Sequence, residues 1–179
     1  IASCLVGSEM CIRDRLETIN SHKISKYNPP ILAHATPLKV KNRILIIGQV
    51  DNDASLRYGN PNNWTMEDMV RLAYYDNPNA EILYRPHPEV YKGYQKSKFK
   101  KQNIEKFAKV ISSEEHIVEL IERIDHVYTL TSLTGLEALL RGKKVTVLGM
   151  PFYAGWGLTD DRCSCSRRQR TCLLYTSPS

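Results

Sequence analysis

Residues 127–148, VYTLTSLTGLEALLRGKKVTVL, constrain the fold more than any other stretch. Four apolar or β-branched residues lead into a polar turn at Thr131-Ser132, residues 136–140 resume apolar positions at helical spacing, and residues 145–148 form a second apolar run. That order predicts strand, turn, helix, strand. Hydroxyls and backbone N–H groups at the start of such a helix attract an anion. Ser132, Thr134 and Gly135 are therefore candidate phosphate-binding positions. Glu137 sits about one turn inside the helix, either to accept bonds from ribose hydroxyls or to serve as a capping-box glutamate.

The same alternation extends upstream. Residues 44–48 (ILIIG) are an apolar run suited to a parallel strand buried on both faces. A polar loop over 49–63 leads to an amphipathic helix over 64–75, which ends at Asn77-Pro78-Asn79. Residues 82–84 are a second strand, stopped by Arg85-Pro86-His87-Pro88. A third strand is expected at 108–111. Ser112-Ser113-Glu114-Glu115 then caps a helix carrying Ile117, Val118, Leu120, Ile121 and Ile124. Alternating strands and helices imply an α/β fold, a Rossmann-like parallel sheet with helices on both faces and right-handed crossovers.

The two ends read differently. Residues 1–15 and 172–179 resemble translated sequencing-adapter sequence and are set aside from the fold argument. The expected organisation is a helix and linker over 16–42, with a Pro29-Pro30 break, and one Rossmann-like donor-binding domain over 43–171. Cys163 and Cys165 lack the second pair that a zinc site would want and read as incidental surface thiols. No apolar run approaches the roughly 20 residues of a membrane span, and no signal-peptide pattern is visible. A cytoplasmic location follows as the expectation. The formal charge of +6 has local runs at 96–101 and 167–170, either solvated faces or a surface for an anionic partner such as a lipid head group. No nucleic-acid motif accompanies them, so nucleic acid is not an expected partner.

Sheets of this kind bind ligands beyond the carboxyl ends of their strands. Four clusters fall there: residues 49–53, 85–88, 132–135 and 151–156. The chain lacks Gly-x-Gly-x-x-Gly and a Walker lysine loop, which argues against a dinucleotide dehydrogenase or a P-loop enzyme. Asp51 and Asp53 alternate along an extended segment, so at most one faces the crevice, and no metal site is expected. A lone crevice carboxylate there is better used as nucleophile or general base. His87, held between two prolines, can donate a hydrogen bond to a phosphate oxygen or leaving group, or is a structural turn histidine. Arg85 adds a fixed charge or a surface salt bridge. Tyr153 and Trp156 either stack on a base or sugar or pack an irregular loop.

In this order and spacing, GQVDNDASLRYG (48–59), RPHPEV (85–90), TSLTGLEALLRGK (131–143) and PFYAGWGLTDDR (151–162) resemble the KpsC/LipB-type capsule polysaccharide β-Kdo transferases. Lys26-Tyr27-Asn28 and the arginines after Arg162 also fit, and the likeness is to the second of two catalytic modules. The resemblance implies one nucleotide-binding half of a GT-B-like retaining glycosyltransferase with CMP-Kdo as donor substrate. It further implies a Kdo-terminated glycolipid acceptor, peripheral contact with the inner membrane, and no cofactor. Carried over, His87 and the turn at 132–134 hold the CMP phosphate and Glu137 takes the ribose. Asp53 is the carboxylate at the anomeric carbon, supported by Gln49 and Ser55. The family's upstream domain is not seen in this sequence, so the chain alone is expected to transfer little. Two other classes stay open: a transferase for another CMP-linked acidic sugar, and a non-catalytic module that binds nucleotide or anionic glycan.

Overall fold

The computed structural model describes residues 13–26, 42–94, 101–168 and 171. Six strands, β1 (Arg43–Ile47), β2 (Glu81–Arg85), β3 (Lys109–Val110), β4 (His126–Thr129), β5 (Lys144–Val147) and β6 (Asp160–Asp161), form one sheet in the order β3-β2-β1-β4-β5-β6. Every neighbouring pair is parallel. This is the Rossmann-like α/β fold, with the chain reversing its direction of progress between β1 and β4.

Both faces of the sheet are covered because its strands are apolar at consecutive positions. Leu45 and Ile47 point to one face, where Val127, Val145 and Val147 meet helices α6 (Ile117–Glu122) and α7 (Leu133–Leu139). Ile44 and Ile46 point to the other, where Tyr128 and Leu130 meet Met66, Met69, Val70 and Ala73 of α3 (Met66–Asp76). Thr65 caps α3 in a reciprocal box with Asp68, which fixes where the helix starts. The remaining helices are short: α2 (Ala54–Gly59), α4 (Pro88–Tyr91) and α5 (Lys101–Ile104). A further helix, α1, spans 13–21 and so crosses the boundary placed at Arg15 in the sequence reading.

Several expectations change. The strand expected at 108–111 is reduced to Lys109–Val110. The cap of α6 is His116, whose Nδ1 accepts from the Val118 amide, and Ser112 instead closes a local turn by accepting from Glu114 N. Strand β6 has no sequence signature. It is held by tertiary bonds: Thr146 Oγ1 donates to Asp160 Oδ2 at 2.9 Å, and Arg162 donates to both Asp160 and Asp76. Cys163, expected as a surface thiol, is buried, whereas Cys165 is partly exposed. Tyr27, Asn28, the Pro29-Pro30 break, the basic residues at 96–100, and Gln169 and Arg170 lie outside the described residues, as do residues 1–12 and 172–179. Among the described residues no helix is long and apolar enough to cross a membrane.

Candidate active site

A cavity of about 810 Å³ opens at the carboxyl ends of β1, β2 and β4. Gln49, Asp53 and Ser55 enter it from the segment after β1, Arg85 and His87 from the end of β2, and Ser132, Thr134 and Glu137 from the turn and first part of α7. Asp51, the alternate carboxylate, does not line it. Gly135 does not line it either.

The two strands that diverge at the centre of the sheet are tied above their ends by one side chain. Gln49 donates from Nε2 to Thr131 Oγ1 and accepts from Thr131 N, both at 2.9 Å. Ser55 Oγ shares a 2.9 Å hydrogen bond with the same Thr131 hydroxyl. Thr131 was absent from the expected site residues, although it stands in the quoted segment TSLTGLEALLRGK. Its role as the shared partner becomes visible only when β1 and β4 are neighbours. Asp53 is fixed by a local bond, its Oδ1 accepting from Ser55 N at 2.8 Å as the cap of α2.

His87 caps α4: its Nδ1 accepts from Glu89 N at 3.3 Å. That bond assigns the proton of the neutral ring to Nε2, leaving Nε2–H as a donor. Burial pushes the His87 imidazole below the ordinary histidine range, against the opposing charges of Glu89 and Asp53. His126, away from the cavity, is pushed the same way by burial. Protons therefore bind the unfolded chain more tightly at both rings. Their contribution to stability is complete above an unfolded pKa of about 6.5 and is lost as pH falls through the lower folded values. Denaturant midpoints should be flat from pH 8 to 7 and decline on acidification below about 6.5; a midpoint that rises there would contradict the assignment.

Among the described residues Arg85 forms no surface salt bridge. Its Nη2 donates to Ser113 O and Glu115 O, each at 2.8 Å, so the guanidinium anchors the loop before α6 while lining the cavity. Burial lowers its pKa and the charge of Glu137 opposes that shift. Sequence reasoning missed the anchoring because carbonyl partners have no side-chain signature.

The turn into α7 is held from three sides. Thr129 Oγ1 accepts from Ser132 N, Ser132 Oγ accepts from Thr134 N, and Ser132 O accepts from the Tyr153 hydroxyl at 2.5 Å. Tyr153 is thus a buried strut beneath the turn rather than a stacking platform, and burial pushes its phenol well above the usual range. Gly135 belongs to the same packing: a Cβ there would lie 2.2 Å from the Tyr153 hydroxyl. The Trp156 indole donates to Phe152 O at 2.7 Å and carries Arg168 over its ring, outside the cavity. Glu137 is not a capping-box residue, because the cap, Ser132, lies five positions before it; its Oε1 accepts from Ser25 Oγ at 2.9 Å and Lys26 N at 3.0 Å.

Residues 32–175 match the family described as capsule polysaccharide biosynthesis protein. The chain belongs to this capsule polysaccharide biosynthesis family. It is 42% identical over 160 residues to the lipopolysaccharide-processing protein LpsZ of Rhizobium meliloti, covering 87% of this chain and 36% of LpsZ. Against the capsule polysaccharide modification protein LipA of Neisseria meningitidis serogroup B it is 41% identical over 157 residues, 88% of this chain and 22% of LipA. Two solved structures of Thermosulfurimonas dismutans KpsC share the fold. The β-Kdo 2,4 transferase superposes with a TM-score of 0.78 at 38% identity, covering 93% of this chain and 52% of that one. The β-Kdo 2,7 transferase gives 0.72 at 33% identity, covering 92% and 50%. Members of the capsule family matched here are therefore longer, and this chain spans about half or less of each.

Proposed function

We propose that this chain is the donor-binding half of a β-Kdo glycosyltransferase that takes the sugar from CMP-Kdo with retention. The observation that carries the reading is the convergence of Asp53, His87 and the Ser132 turn on one cavity at the sheet's reversal point, in a chain that shares its fold with two Kdo transferases. The Ser132 and Thr134 hydroxyls of the turn and the Nε2–H of His87 supply donors for a single phosphate. Glu137 accepts from the ribose, and Asp53 stands as nucleophile of a double displacement. In that sequence the Asp53 carboxylate attacks the anomeric carbon as CMP leaves, and an acceptor hydroxyl then displaces the carboxylate with loss of its proton. The acceptor is a Kdo-terminated glycolipid, which places the work on the cytoplasmic side of the inner membrane. The other wall of the cleft comes from a second domain, so this half alone transfers little. A monophosphate leaving group needs no divalent ion under this reading.

Calorimetry on the chain tests it. CMP should bind equally with and without EDTA, and His87→Ala should weaken binding about tenfold, the loss expected for one hydrogen bond to a charged group. Affinity indifferent to His87→Ala removes the histidine from the phosphate site, and affinity that EDTA abolishes contradicts metal-free binding.

A further inference from the structure

Residues 24–26, which follow α1, lie across the side of α7. Asn20 Nδ2 donates to Leu140 O at 3.0 Å, and Arg141 bridges the strap to the helix, donating from Nη1 to Glu137 O and from Nη2 to Ile24 O. Lys23 pairs with Glu122 of α6 at 3.2 Å. At the end of this strap Ser25, 8% exposed, turns its hydroxyl onto Glu137 Oε1, and the next amide, Lys26 N, reaches the same oxygen. Both strap residues and Glu137 line the cavity. Two donors thus converge on one carboxylate oxygen of a glutamate that is only 9% exposed as a residue, and Oε2 has no hydrogen bond among the described residues.

A glutamate has three rotatable side-chain bonds and a terminal torsion that is broad and nearly two-fold, so the helix alone does not fix which way its oxygens face. Two converging hydrogen bonds do fix it. We propose that Ser25, with the Lys26 amide, is a positioning residue that holds the Glu137 carboxylate with Oε2 presented to the ribose hydroxyls of the bound nucleotide. This rests on the reading of Glu137 as the ribose acceptor. The strap thereby makes nucleotide recognition by α7 depend on a segment more than 100 residues earlier in the chain.

The test compares CMP with 2′,3′-dideoxy-CMP on the full chain. The wild-type protein should prefer CMP about tenfold, the worth of a charge-assisted hydrogen bond. Ser25→Ala should shrink that preference to about threefold or less by weakening CMP alone, with dideoxy-CMP affinity unchanged. Ser25→Thr, which keeps the hydroxyl, should restore it. Glu137→Gln should remove the preference, and adding Ser25→Ala to it should change nothing more, since coupled residues are not additive. A general loosening of α1 would weaken both ligands alike and would overturn the proposal. A preference abolished by Glu137→Gln and spared by Ser25→Ala overturns it while leaving the ribose reading intact. No preference in the wild-type chain overturns both.

Discussion

Replacing Asp53 by asparagine, in a full-length transferase carrying this domain, is expected to lower Kdo transfer by on the order of 10³-fold or more while CMP affinity moves less than about threefold. The choice of asparagine matters because Asp53 has a structural job beside the proposed chemical one. Its Oδ1 caps α2 by accepting from Ser55 N, and asparagine keeps that acceptor. Alanine would remove both the cap and the proposed nucleophile, mixing about 1 kcal/mol of lost helix stability into the result. The loop that carries Asp53 is also braced by Ser55 on Thr131 and by Gln49 on the same residue, so its backbone does not depend on the charge. Transfer that survives in Asp53→Asn with full affinity would remove the carboxylate from the anomeric carbon.

The largest expected stability effect comes from Gly135→Ala. The added Cβ would meet Tyr153 Oη at 2.2 Å, Tyr153 Cζ at 2.9 Å and Thr129 Cγ2 at 3.0 Å, all belonging to buried residues. Overpacking of this kind costs about 1–3 kcal/mol, and here displacement of the tyrosine also threatens its bond to Ser132 O, worth about 1 kcal/mol. Tyr153→Phe alone should lose only the latter. Combining the two should be less destabilising than their sum, because removing the hydroxyl removes the shortest clash. Denaturant midpoints of the four proteins check the cycle. Strict additivity would mean that the glycine is there for some reason other than the tyrosine, and wild-type stability in Gly135→Ala would refute the packing argument.

How far the fold could be read from residues alone follows from which interactions are local. The runs at 44–48, 82–84, 127–130 and 145–148 are mostly apolar or β-branched at consecutive positions, which in a chain alternating with helices leaves little choice but a sheet covered on both faces. Strand β6 has no such pattern, since Asp160 and Asp161 are poor strand formers and owe their place to Thr146 and Arg162. At the site, the positions after each strand were legible because topology alone brings them to one rim. The partners of those positions were not. Glycine and aromatic residues in the segments TSLTGLEALL and PFYAGWG read equally well as ligand contacts, and only spatial proximity shows that Gly135 and Tyr153 brace each other. Thr131 and Ser25 were overlooked for the same reason: each acts on a residue distant in sequence.

The proposed function places the nucleotide at the rim formed by the ends of β1, β2 and β4. A second cavity of about 630 Å³, bordered by Asn42, Asn77, Asp125, His126 and Lys143, lies by the opposite ends of the strands and serves as an internal control. The most direct test is to map CMP binding by amide chemical shifts on the isotope-labelled chain. Under the proposed function, perturbations should be confined to the segments around Gln49–Ser55, Arg85–Glu89 and Thr131–Glu137, saturating together with one affinity. Shifts centred instead on Asn77, Asp125 and Lys143, with the Ser132 turn unmoved, would contradict it.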